Sequence, residues 1–273
     1  MGRPKQNLPR AFRHLQRTRA TKRSGITRTI WASVGISVMA VAAAAAAILA
    51  FLGHTTSQAA AEDRIDHEVS TLLAGIPQQE RTLGNPTAPV ALEVFLDLKD
   101  PDSRAWFLAN LPGIIHNYVR PGVLKLEYHA YKTNTYRPQT FVKEQTAALA
   151  AGAQNKLWNY IDTIYHEQGN EFIGYVTESY LDNIARQVPG LDLARWHTDR
   201  PTGRREEQTT DDDHTARALG LHVTPSFRIG KTGRTMRNFS GHAIIKYGEQ
   251  HPIALPTAPD VGKAIQELDR QQR

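Results

Sequence analysis

Apolar and polar positions change period several times along this chain, and each change marks an element. The stretch VALEVFLDL (90–98) is almost continuously apolar over the length of one strand, the pattern of a central strand covered on both faces. After it, Trp106, Phe107, Leu111 and Ile115 fall on one side of a predicted helix from Pro101 to about Val119, which Pro121 and Gly122 break. VLKLEYHAY (123–131) then alternates, with Leu124, Leu126 and Tyr128 on one face, and predicts a second strand. Strand, helix and strand in about forty residues make a βαβ unit, which sets the two strands side by side and parallel.

From 140 to roughly 219 the periodicity is helical throughout, long enough for an inserted helical subdomain. VTPSFRIG (223–230) and TMRNFSG (235–241) predict two short strands separated by turn residues at 231–233. Residues 259–270 close as an amphipathic helix with Val261, Ile265 and Leu268 inward. Ahead of the first strand, Gly84, Asn85, Pro86 and Pro89 give turn chemistry, and Ile65, Val69, Leu72, Leu73 and Ile76 form a short helical stripe. That stripe suits a helix docked on the domain; a dimerising stalk, giving a homo-oligomer, is the alternative, although the stripe is short for a sustained heptad.

The longest apolar run, IWASVGISVMAVAAAAAAILAFL (30–52), carries no charge and as a helix spans about 35 Å, enough for a bilayer core. The expected organisation is a basic tail at 1–28, a transmembrane helix at 29–53, a spacer and amphipathic helix at 54–80, and a domain at 81–271 with its helical insertion at about 139–219. Of 33 basic residues nine precede position 30 with no acid among them, so 24 remain against 27 acids. The positive charge therefore belongs to the tail, which places the N-terminus in the cytoplasm and the domain outside, and a basic nucleic-acid-binding domain loses its support. A cleaved signal peptide is the rival, with small residues at Ser57-Gln58-Ala59, but the apolar run is longer than a signal core.

The chain has no cysteine, hence no thiolate, disulfide or thiolate-bound metal. At the predicted start of the helix stands Asp100-Pro101-Asp102-Ser103: an N-cap acid, a proline suited to the first helical position, a second acid in the first turn and a small hydroxyl residue. Asp97, Asp100 and Asp102 lack the spacing of a calcium loop and read as solvated acids at a helix start; Asp211 to His214 read the same way, and no metal site or cofactor is expected. Ser103 with His222 or His129 as base has no nucleophile-elbow motif behind it, so a capping serine is the simpler reading. Trp158, Tyr160, Ile161 and Tyr165 read as subdomain core.

Several stretches in register, among them LGNPTAPVALEVFLD, YVRPGVLKLEYHAY, AALAAGAQNKLWNYIDTIY, LDNIARQVPGLD and ALGLHVTPSFRIG, resemble the DsbA-like thioredoxin family of bacterial extracytoplasmic thiol-disulfide oxidoreductases over about 72–268. The resemblance implies an α/β, thioredoxin-like fold with an inserted helical subdomain, here preceded by one N-terminal transmembrane helix. It lays the family's Cys-Pro-x-Cys on Asp100, Pro101, Asp102 and Ser103, and the family's buried acid, six positions earlier, on Val94. It also implies a cis-proline loop at Thr224-Pro225, next to Val223, where the family presents backbone to an extended peptide.

Three functions follow as expectations. The first is a single-pass bacterial membrane protein whose extracytoplasmic domain has no redox activity and holds an extended peptide or partner protein at Val223, Thr224 and Pro225. The second is a non-redox enzyme using Ser103 and Asp100. The third is a structural protein that assembles through its anchor or stalk.

Overall fold

The computed structural model describes residues 64–65, 67–241, 243–247 and 251–270. The basic tail and the apolar run 30–52 lie outside them, and among the described residues no helix is long and apolar enough to cross a membrane.

The helical residues 64–65 and 67–73 (α1) bury Ile65, Val69 and Leu73, with Ile76 just beyond, in the main core, and Arg120 ties the segment down by donating to the Leu72 and Ala74 carbonyls at 2.9 and 2.8 Å. The stripe's apolar face is thus used within the chain, as a docked helix requires. Two-residue strands β1 (Gln78–Gln79) and β2 (Thr82–Leu83) follow, too short for any periodicity to announce them. Gly84 then takes φ +102°, and a Cβ there would lie 2.8 Å from Val119 Cγ1 and 3.1 Å from the Leu124 carbonyl, so both conformation and space demand glycine.

The βαβ unit is β3 (Val90–Leu96), α2 (Pro101–Ile114) and β4 (Leu124–Ala130), with β3 and β4 parallel. The predicted helix does reach Val119, but its last five residues, Ile115–Val119, widen into a π turn closed by Arg120 N–H to the Ile115 carbonyl at 2.9 Å. This turn follows Pro112, which lacks an N–H to continue the ladder. Five helices come next: α3 (Pro138–Gly152), α4 (Leu157–His166), α5 (Glu178–Gln187), α6 (Leu193–Asp199) and α7 (Gly203–Ala218). Then β5 (Ser226–Lys231) pairs antiparallel with β3, and β6 (Arg237–Phe239) with β5, giving a sheet in the order β1-β2-β4-β3-β5-β6. An unpredicted antiparallel pair, β7 (Ala243–Tyr247) and β8 (His251–Leu255), precedes α8 (Ala258–Arg270).

The two faces of the sheet differ, and the sequence pattern says why. Leu92, Val94 and Leu96 of β3, with Leu124, Leu126 and Tyr128 of β4, enter the main core; there Trp106 of α2 packs on Phe227 at 4.4 Å and donates its indole N–H to the Pro256 carbonyl at 2.7 Å. Phe107, Trp158 and Tyr165 join α2 to α4 in the same core, and Tyr160 and Ile161 are buried there as expected. On the other face Phe95 and Tyr131 find an apolar cover from Ala216 and Leu221. Glu93, Lys125, Glu127 and His129 alternate with the core residues and stay partly exposed.

Candidate functional site

Residues 97–103 lead from the end of β3 into α2, and their acids are buried, where the sequence reading had them solvated. Asp97 is 0%, Asp100 4% and Asp102 9% exposed. The cause lies far away in the sequence: the loops 132–135 and 222–225 bring donors to Asp97 and Asp100, and Gln168 covers the helix start by donating to the Leu98 and Asp100 carbonyls at 3.0 and 3.2 Å.

Asp100 is the N-cap of α2, with Pro101 at the first helical position. Its carboxylate accepts from Asp102 N–H at 3.2 Å, Ser103 N–H at 2.9 Å and the Ser103 hydroxyl at 2.7 Å. Two further donors come from the covering loops, Asn134 Nδ2 at 3.2 Å and Thr224 Oγ1 at 2.8 Å. Thr224 has one hydroxyl proton and gives it to Asp100, so the hydrogen bond between Thr133 and Thr224 is donated by Thr133. The Thr224–Pro225 peptide is cis. Asp100 thus stands between the start of α2 and the proline loop and is bonded to both.

Burial pushes the Asp100 carboxyl up to about 6, against the opposing pull of its Ser103 and Thr224 hydrogen bonds. Burial also raises Asp102, with Glu171 adding repulsion. The native Asp100 keeps its proton up to about pH 6 while the unfolded one releases it near 3.8, so between those values folding binds a proton and stability falls as pH rises. At ~1.4 kcal/mol per unit this amounts to roughly 3 kcal/mol. Asparagine caps helices as well as aspartate and does not titrate. We expect urea unfolding from pH 4 to 7 to show Asp100→Asn gaining on the wild type by up to about that amount; parallel pH curves would refute the shift.

Below Asp100 lies a second buried pair that sequence reasoning missed. Asp97 accepts the backbone N–H groups of Thr133, Asn134 and Thr135 at 3.0, 2.8 and 2.8 Å, and that of Lys99 at 3.1 Å, a backbone nest for one carboxylate. The Thr135 hydroxyl bonds both Asp97 and Glu144, the latter at 2.8 Å. One hydroxyl proton cannot serve two carboxylates. Burial holds Glu144 well above the usual carboxylate range, which favours the arrangement in which Glu144 donates to Thr135 and Thr135 donates to Asp97. A signal for this was present: after Glu144 the helix α3 runs on through AALAAG (147–152), apolar on every side, and its positions from Glu144 to Gly152 are all buried. Val94, where the resemblance puts the family's buried acid, is fully buried among apolar neighbours.

Two other expectations are corrected. Asp211 to His214 lie in the C-terminal half of α7, not at a helix start. There Asp212 accepts from Arg81 Nη1 on both oxygens at 2.7 and 2.8 Å, and meets His129 Nδ1 at 3.1 Å and the Ala130 N–H at 3.1 Å. Burial alone raises its carboxyl, but His129 and Arg81 outweigh that and hold it below the usual range. The serine–histidine pairing also fails: Ser103 is 0% exposed and donates to Asp100, His129 is engaged with Asp212, and His222 is exposed.

The surface beside this network is open. Val223, next to Thr224, is 40% exposed, and its N–H takes part in no backbone hydrogen bond among the described residues. A groove of about 450 Å³ runs from Val223 and Pro225 past Phe227 to Phe239 and Leu255. Across the helix start, Asn134, Glu171 and Phe172 line a second cavity of about 670 Å³, with Tyr136 and Phe172 92% and 86% exposed at its rim.

Comparison with known proteins agrees with this architecture. A family model described as Thioredoxin matches residues 77–240. A Bacillus anthracis protein named "Probable disulfide bond formation protein D" is 26% identical over 158 residues, covering 55% of this chain and 69% of that protein. Among solved structures, α-DsbA1 of Wolbachia pipientis superposes with a TM-score of 0.54 at 15% identity, over 73% of this chain and 93% of that one. Oxidised BdbD of Bacillus subtilis superposes with a TM-score of 0.55 at 13% identity, over 71% of this chain and 97% of that one. At such identities the superpositions speak for the fold, and chemistry has to be argued from the site.

Proposed function

The chain belongs to the thioredoxin family as a DsbA-like member without cysteine, and from that premise we propose that it is a membrane-anchored extracytoplasmic protein that binds extended polypeptide without redox chemistry. The anchor is the apolar run 30–52, and the binding element is the loop of Val223, Thr224 and Pro225. The observation that carries the reading is the Thr224–Asp100 hydrogen bond: a carboxylate, placed where the family resemblance puts the first cysteine, holds the proline loop in place. A fixed loop whose Val223 amide has no backbone partner among the described residues, with an adjoining apolar groove, suits strand addition, in which backbone supplies the affinity and the groove a side-chain preference. The chain supplies no thiol for electron transfer. The enzyme alternative has little to stand on, because Ser103 is fully buried and its proton goes to Asp100.

The test uses the full-length protein in its membrane with a photo-crosslinking residue in place of Val223. Polypeptides are expected to be captured, and Thr224→Val, which removes the hydroxyl that ties the loop to Asp100, is expected to cut the yield roughly tenfold, the equivalent of about 1.4 kcal/mol. Equal capture with and without that substitution would count against the loop as the binding element.

A further inference from the structure

We propose that Glu93, Glu127 and His129 form a binding site for a divalent first-row metal ion, of the zinc class, on the open face of the sheet. Glu93 of β3 and Glu127 of β4 are register partners, so two like charges sit side by side, and His129 is two residues further along the same face. Like charges at such positions destabilise a sheet unless they are countered, and here one oxygen of each carboxylate is left after its own cation is paired. An oxygen of each carboxylate and a ring nitrogen of His129 lie within 4.8 Å of one another, which small side-chain rotations convert into ligation at ~2.1 Å.

The histidine supplies the independent sign. Its Nδ1 faces the Asp212 carboxylate at 3.1 Å and donates to it, which leaves Nε2 as the ring atom open to another partner. Nε2 is buried and has no hydrogen-bond partner, an expensive state for a polar atom unless something else engages it. The ring is fixed from both sides, stacked on Phe95 at 4.6 Å between centroids and held by Asp212, itself locked by Arg81. This is the carboxylate–histidine arrangement that orients an imidazole towards a metal.

Both carboxylates are oriented in the same way. Arg228 Nη1 bonds Glu93 Oε2 at 2.9 Å and Lys125 Nζ pairs with Glu127 Oε1 at 2.6 Å, each ion pair using one oxygen. Two carboxylates balance the charge of a divalent ion, and an imidazole ligand favours zinc or cobalt over calcium or magnesium. All three ligands stand on adjacent parallel strands, so the backbone fixes their spacing.

Full-length protein stripped with a chelator is titrated with Co²⁺ and followed by visible spectroscopy, then with Zn²⁺ against a chromophoric competitor. One ion per chain is expected, with cobalt ligand-field bands that Zn²⁺ abolishes. Glu127→Gln and His129→Asn are each expected to weaken Zn²⁺ binding at least 10-fold and to remove the rise in melting temperature that Zn²⁺ gives the wild type. Glu127 is half-exposed on its strand, so its variant retains the fold, which far-UV circular dichroism without metal verifies. No binding by the wild type, or equal binding by both variants, overturns the site.

Discussion

A chain carrying Asp100→Cys together with Ser103→Cys is expected to close an intramolecular disulfide under mild oxidation and to gain the thiol-dependent insulin reduction that the natural sequence lacks. The argument is one of placement. The side chains at 100 and 103 already meet, since the Ser103 hydroxyl reaches Asp100 Oδ2 at 2.7 Å and its N–H reaches the same oxygen at 2.9 Å. They do so at the N-terminus of α2, where unpaired N–H groups and the helix dipole favour an anion and lower a thiol's pKa. Thr224 and Asn134, which now donate to Asp100, are positioned to donate to a thiolate instead. The natural carboxylate and the introduced thiolate draw on the same field, which explains how the helix start persists without sulfur. Mass spectrometry should find two hydrogens lost on oxidation, and each single substitution should leave insulin reduction at background. Failure of the folded double variant to form the bond would mean that positions 100 and 103 do not meet as described.

What the sequence made legible is what period and capping encode. The continuous apolar run of β3 and the alternation of β4 announced both strands and their parallel pairing, and Asp-Pro-Asp-Ser announced a helix start at Pro101. The alternation also held the polar face in plain view at Lys125, Glu127 and His129, although periodicity alone does not say that Glu93 arrives beside them. The burial of the acids was not legible, because it is decided by donors far away in the chain. Asp97 is received by residues 133 to 135, Asp100 by Asn134 and Thr224, and Asp212 by Arg81 and His129. Acids near a helix start are normally solvated; here the covering loops reverse that. The pair β7–β8 was missed for a local reason, since Pro252 sits within β8 and demotes a strand pattern.

The buried acids Asp97 and Glu144 should respond in opposite ways to loss of charge, and the contrast reads out which of them carries the proton. Asp97→Ala leaves the N–H groups of Lys99, Thr133, Asn134 and Thr135 without their acceptor, and Lys99 and Thr135 are buried. At about 1–3 kcal/mol for each orphaned buried donor, with some relaxation of the loop, the loss should reach about 4 kcal/mol. For a domain of this size that corresponds to a fall in melting temperature of roughly 8–16 °C. Glu144→Gln replaces a protonated acid by a neutral amide of nearly the same shape that still offers a donor towards Thr135, so it should cost no more than about 1 kcal/mol at neutral pH. Its pH dependence has a definite sign. A buried acid held above its unfolded pKa of 4.5 loses stability for the protein as pH rises past that value, and glutamine removes the slope. Glu144→Gln should therefore approach or exceed wild-type stability as pH rises from 5 to 8, while Asp97→Ala stays far below it throughout. If instead the glutamine variant is as damaged as the alanine one at neutral pH, Glu144 is ionised in the folded protein and the proton belongs elsewhere in the Asp97–Thr135–Glu144 chain.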